Sequence, residues 1–160
     1  MNKLYLLCID DQPEVLNALE SDLSEFEEYL NIEICESGEE ALELIEDIDQ
    51  QGDHLAVVIS DQVMPEMTGV DVLRTIQNDR RFTHTQKILL TGLATHQDTI
   101  QAINTGGLDH YIQKPWTKEG ISLVIRKSLT SFIVEKGLEY EPYLEVLDQP
   151  MLYEALRNRS

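Results

Sequence analysis

Basic residues are scarce: 12 Lys and Arg face 30 Asp and Glu in 160 residues, a formal net charge of -18. Such a chain repels nucleic-acid phosphates and anionic bilayers, so direct DNA binding and membrane attachment are not expected. The acidity names no partner of its own, because a solvated acidic surface needs none. Only two cysteines occur, Cys8 and Cys35, each inside an apolar strand-like segment and without CxxC or metal-ligand spacing. They are expected to be buried, reduced thiols. No apolar run approaches the roughly 20 residues of a membrane span. The N-terminus also lacks the charged start, apolar core and small-residue cleavage site of a secretory leader, which makes a cytoplasmic protein the expectation. No GxGxxG or phosphate loop follows the first apolar segment, which argues against a nucleotide-binding site there. The four histidines, His54, His84, His96 and His110, have no zinc-like spacing.

What is present is a regular alternation. The length suits one domain plus an appendage, and five strand-like segments can be read: "LYLLCI" (4–9), "IEIC" (32–35), "LAVVIS" (55–60), "KILLT" (87–91) and "HYI" (110–112). Helical patterns separate them. Val15, Leu16, Leu19, Leu23 and Phe26 share one face after Pro13, a residue suited to a first helical turn. Ser37 to Glu40 reads as a capping box, and Gly69 opens a third pattern through Val70, Leu73 and Ile76. Thr95 and Asp98 cap a fourth, with Ile100 and Ile103, stopping at Gly106-Gly107; Thr117 begins a fifth, running through Ile121, Val124, Ile125, Leu129 and Phe132. Short apolar strands alternating with helices imply a doubly wound α/β fold, a parallel sheet covered by helices on both faces.

In such sheets ligands bind beyond the carboxyl ends of the strands. The residues delivered there are Asp10 and Asp11, then Asp61, Thr91 and Lys114. Three carboxylates in one crevice call for a counter-charge, and a hard divalent cation with oxygen ligands, Mg²⁺, supplies it while leaving room for a phosphate oxygen. Asp61 could then attack a phosphoryl group, with Thr91 and Lys114 serving the equatorial oxygens.

The set "IDD" (9–11), "SDQVMPEMTG" (60–69), "LLTG" (89–92) and "YIQKPW" (111–116) resembles the receiver domain of two-component response regulators. The likeness covers roughly residues 3–130, with its separated motifs in order at successive strand ends. It implies a flavodoxin-like five-stranded sheet of order 2-1-3-4-5 and a receiver domain over residues 1–136; beyond the likeness, residues 137–160 read as a short, acidic, amphipathic helical extension. It implies that Asp61 is the phosphoacceptor, that Asp10, Asp11, Asp61 and the backbone carbonyl of Val63 hold Mg²⁺, and that Thr91 and Lys114 bind the phosphoryl oxygens. By the same resemblance Tyr111 is the aromatic switch residue, and the Lys114-Pro115 peptide is cis. Met64, Pro65 and Gly69 match the loop after the phosphoacceptor, while Trp116 stands where phenylalanine is common and is read as a packing residue. Val63 and Leu93 would flank the phosphoryl group as apolar residues that position water poorly. The implied partners are a sensor histidine kinase or phosphotransfer protein and a downstream protein effector. The protein would be a switch that assists its own modification, rather than a turnover enzyme.

Two rivals use the same residues: a pseudo-receiver acting only as a binding scaffold, and a metal-dependent phosphohydrolase with an aspartyl-phosphate intermediate. The second is weakened because Val63 stands where a second acid would follow the nucleophile by two residues. Between Glu135 and Glu154 the tail is mainly acidic and interspersed with Leu138, Tyr140, Tyr143, Leu144, Leu147, Met151 and Leu152. Pro142 and Pro150 suggest two short helical starts. The tail either folds back on the receiver or buries its apolar side in a homodimer or against a partner. It is too small and has too few bases for a DNA-reading module. The chain is thus either a stand-alone receiver or a fragment of a longer regulator.

Overall fold

The computed structural model describes residues 2–92, 97, 100, 101 and 107–159. Five strands, β1 (Leu4–Ile9), β2 (Asn31–Cys35), β3 (His54–Asp61), β4 (Gln86–Thr91) and β5 (His110–Gln113), form one sheet of order β2-β1-β3-β4-β5. Every pairing is parallel. This is the doubly wound α/β fold expected from the alternation.

Side chains alternate across a strand, and β1 shows the result. Leu4, Leu6 and Cys8 enter one apolar cluster while Tyr5, Leu7 and Ile9 enter the other. The first cluster lies under α1 (Pro13–Asp22) and α4 (Lys118–Lys136), the second under α2 (Gly38–Gln50) and α3 (Gly69–Gln77). Both cysteines are buried and free. Burial pushes the Cys8 thiol far up and the Cys35 thiol up to about 12, so both stay protonated and inert.

Several local expectations need adjustment. The apolar face beginning at Val15 does not run through one helix: α1 ends at Asp22, and Leu23 and Phe26 stay buried around a separate 3₁₀ turn, Ser24–Phe26. Ser37 caps α2 by accepting from Glu40 N, but the Glu40 carboxylate accepts from Glu36 N at 2.9 Å, so the box is not reciprocal. The reciprocal box belongs to α3, where Thr68 and Asp71 each accept the other's backbone N–H at 3.2 Å. The fourth helical pattern, with Thr95, Asp98, Ile103 and Gly106, lies outside the described residues, as does Leu93. Within that stretch Gln97, Ile100 and Gln101 are helical.

Beyond α4, Gly137 takes a left-handed conformation (φ 76°) and turns the chain back. The tail then makes a 3₁₀ helix, Glu141–Val146, and α5 (Gln149–Arg159), with Pro142 and Pro150 each second in its helix, two short helical starts as their positions suggested. Val146, Leu147 and Leu152 are buried in the cluster under α1 and α4. Backbone groups are satisfied across the same seam: the Arg126 guanidinium donates to Glu145 O at 2.8 Å, and Asp148 N donates to Thr130 Oγ1 at 2.9 Å. Of the two readings of the tail, folding back is the one seen. Among the described residues, no helix is long and apolar enough to cross a membrane.

Candidate functional site

Register brings the strand ends to one level. Ile9 lies opposite Ser60, Asp61 opposite Leu90, and Thr91 opposite Gln113. The next residue of each chain segment therefore reaches a common rim. Asp10 leaves β1 fully buried, its backbone N–H bonded to Cys35 O at 3.1 Å and its Oδ1 accepting from Gln12 N at 2.9 Å. Asp11 beside it is exposed. Asp61 is the last residue of β3 and is buried, as is Thr91 at the end of β4.

Lys114 follows β5, and its backbone N–H donates to Thr91 O at 3.0 Å. Its ammonium lies 2.9 Å from Asp61 Oδ1 and 3.2 Å from Asp10 Oδ2. Burial alone would lower the Lys114 pKa, but the hydrogen bond and charge of Asp61, with those of Asp10, outweigh it and hold the ammonium above its ordinary range. Asp10 moves up, because burial and the neighbouring Asp61 charge outweigh its hydrogen bonds from Gln12 and Lys114. One cation thus faces more negative charge than it neutralises. One oxygen each from Asp10, Asp11 and Asp61 lies within 4.8 Å of the other two. That all-oxygen set, buried on one side and open at Asp11, fits a hard cation of the Mg²⁺ kind.

The loop after β3 is built around Asp61. The Ser60 hydroxyl donates to Asp61 O at 3.0 Å. Gly69 packs so closely that a Cβ there would lie 2.2 Å from the same oxygen, and its N–H donates to Gln62 O at 3.1 Å. The Gln62 side chain accepts from Val70 N at 2.9 Å, tying the loop to the first turn of α3. Between them, Glu66 has φ 68° inside a three-residue turn closed by Met67 N to Pro65 O at 2.7 Å. A positive φ at a non-glycine residue is local strain held by its surroundings. Met64 is buried and Val63 is 61% exposed.

Among the sequence-predicted site residues, Asp10, Asp11, Asp61 and Lys114 converge, with Thr91 bonded through its carbonyl to Lys114. Tyr111 sits on edge strand β5 and is 48% exposed, pointing away from the core. The Lys114-Pro115 peptide is cis. Sequence reasoning missed three supports: Ser60, Gln62, and a bond from the Trp116 indole to Asp22 Oδ2 at 2.8 Å. Polar residues on both sides of Asp61, at the end of an otherwise apolar run, were the available signal for the first two. Nothing local in the sequence joins Trp116 to Asp22.

A family model described as the response regulator receiver domain matches residues 6–126. The chain is 31% identical over 126 residues to chemotaxis protein CheY1 of Helicobacter pylori, covering 76% of this chain and 97% of that protein. It is 26% identical over 155 residues to the hydrogenase transcriptional regulatory protein HoxA of Cupriavidus necator, covering 97% of this chain but only 29% of HoxA. Among solved structures, a CheY-like response regulator receiver domain protein from Methanospirillum hungatei superposes with a TM-score of 0.70 at 25% identity, covering 84% of this chain and 99% of the other.

Proposed function

The chain belongs to the response regulator receiver domain family, and from that premise we propose that Asp61 accepts a phosphoryl group from the phosphohistidine of a sensor kinase or phosphotransfer protein. The observation that carries this reading is the Lys114 ammonium bridging Asp61 and Asp10 at a rim with a third carboxylate beside it. In the transfer, a carboxylate oxygen of Asp61 bonds to phosphorus as the donor's P–N bond breaks. Lys114 then pairs with a phosphoryl oxygen, and the Thr91 hydroxyl donates to another. Mg²⁺, held by Asp10, Asp11, Asp61 and the Val63 carbonyl, would neutralise the charge gathering on those oxygens.

Drawing Thr91 toward the phosphate leaves room for the half-exposed Tyr111 to turn inward. That motion biases the face around β5 and α4 between two pre-existing states. This face would be read by a protein effector. Residues 1–136 would form the receiver and 137–160 an extension packed on it, in a cytoplasmic protein that modifies itself without turning over a substrate. The Val63 side chain, apolar and exposed, offers an attacking water no hydrogen-bond partner. Val63→Asn should therefore hasten decay of the phosphorylated state, and equal or slower decay would remove this part of the reading.

The deciding experiment is incubation with Mg²⁺ and acetyl phosphate, followed by mass measurement. One phosphoryl adduct per chain, absent in Asp61→Ala, supports the switch. Sustained phosphate release would favour a hydrolase instead. No adduct from either acetyl phosphate or a phosphohistidine donor would leave a binding scaffold.

A further inference from the structure

We propose that Trp116 is a positioning residue for Lys114, with its indole bond to Asp22 holding the loop that carries the ammonium; this rests on the phosphoacceptor reading of Asp61. Among the described residues, three bonds besides those of the ammonium hold the loop. Lys114 N donates to Thr91 O, Trp116 Nε1 donates to Asp22 Oδ2 at 2.8 Å, and the Thr117 hydroxyl caps α4 by accepting from Gly120 N at 3.0 Å. The first attachment is to the end of the neighbouring strand β4, and the third is to the helix that follows the loop. Among the described residues the second is the bond that ties it to α1, and the partly buried indole packs against the apolar cluster to which α1 contributes.

Asp22 is an unusual residue to find at that place for the sake of the helix. It ends α1, where the macrodipole is negative and no basic residue stands in the last turn. An acid there gives the helix nothing. Its bond is to the indole, a donor that a phenylalanine filling the same space would lack. The chain has one tryptophan, and it stands two residues from the ammonium of the site.

The consequence can be separated from a plain packing role. The Lys114 ammonium lies on Asp61 Oδ1 and Asp10 Oδ2, on two of the three carboxylates grouped closely enough to hold a metal ion, so ammonium and cation compete for the same negative charge. Loosening the loop frees those carboxylates for a cation and at the same time removes a placed positive charge from the phosphoryl oxygens. Mg²⁺ binding should therefore tighten while phosphoryl transfer slows. A general loosening of the fold would weaken both.

Trp116→Phe, Asp22→Ala and the double variant test this, with Mg²⁺ affinity read by titration calorimetry and transfer by the rate of labelling from acetyl phosphate. Each single variant should label about tenfold more slowly, the scale on which a sub-ångström misplacement acts. Each should also bind Mg²⁺ about twofold more tightly, and the double variant should match the singles because one bond is removed in all three. Unchanged rate and affinity, a loss of both, or additive effects would overturn the proposal. Should Trp116→Phe not fold, Asp22→Ala carries the test, since it touches only the end of a helix. Failure of the wild type to label would overturn the phosphoacceptor reading, while the Mg²⁺ affinities would still report whether the bond holds Lys114 over the carboxylates.

Discussion

Two clusters of three acids and one base stand at opposite ends of the sheet. At the carboxyl rim Lys114 meets Asp10 and Asp61, with Asp11 beside them. At the other end Arg81 meets Glu46, Asp49 and Asp79 at 2.7–3.1 Å. The distances are alike and the surroundings are not. Around Arg81 every side chain is substantially exposed, water carries the excess negative charge, and the guanidinium bonds draw the Glu46 and Asp79 carboxyls below their ordinary range. At the rim Asp10 is shut off from water and its carboxyl is pushed up. The same ratio of charges is thus satisfied at one end and left short of positive charge at the other. An unsatisfied buried cluster can recruit a cation and a phosphoryl group; a solvated one has no need of either.

Substituting the base in each cluster tests this difference directly. Lys114→Ala should slow labelling of Asp61 by about 10²-fold or more, the usual effect of removing one placed donor from a charge-stabilising site. Arg81→Ala should leave the labelling rate within about twofold, since exposed ion pairs are screened. Comparable losses in the two variants would show that burial is not what separates the clusters.

Glycines sharpen the contrast by a second route. At the rim, an alanine Cβ at Gly69 would press on the Asp61 carbonyl, a backbone atom that cannot turn aside. At the far end Gly52 has open space around it but φ +78°, so alanine there meets only left-handed backbone strain of about 1 kcal/mol. Gly69→Ala should destabilise by about 2 kcal/mol or more in urea unfolding and also slow labelling. Gly52→Ala should do the first to a smaller degree and the second not at all. A Gly69→Ala protein that labels at the wild-type rate would mean the contact sets stability without setting the position of Asp61.

These comparisons also mark where the sequence was informative. The strand-end acids and Lys114 are legible in the sequence because a parallel sheet forces successive strands to end on one side, so order alone places Asp10, Asp61, Thr91 and Lys114 together. The cap at Thr117 and the paired proline starts of the tail follow from equally local chemistry, whereas the strand order came only from the family resemblance. The Arg81 cluster was not legible, because its members come from α2 and from the turn before β4, and nothing periodic links them. The same holds for Asp22 with Trp116 and for Tyr29 with Glu145, whose 2.8 Å bond fastens the tail. Nor could the pattern choose between fold-back and association for the tail. An amphipathic segment needs an apolar face, and only packing density decides whether its own chain supplies it: Leu152 ends fully buried beneath α4, and Leu152→Ala should destabilise by about 2–4 kcal/mol.

Acid titration gives the smallest and most specific expectation. Glu46 and Asp79 have folded-state pKa values lowered first by the side-chain bonds from Arg81. Groups of that sign stabilise the fold fully above the unfolded carboxylate pKa of about 4, and the contribution disappears as pH falls through the lowered folded values, where protonation breaks the pairs. The unfolding midpoint of Arg81→Gln should therefore lie slightly below that of the wild type at neutral pH, by no more than about 2 °C. The gap should close as the pH is taken from about 4 toward 2. Salt should narrow it too, because solvated charges are screened over about 10 Å at 0.1 M. A gap that persists in acid would mean that Arg81 acts through its contact with the Phe82 ring, 4.9 Å from the guanidinium carbon, and not through charge. The far cluster would then differ from the rim in kind as well as in exposure to water.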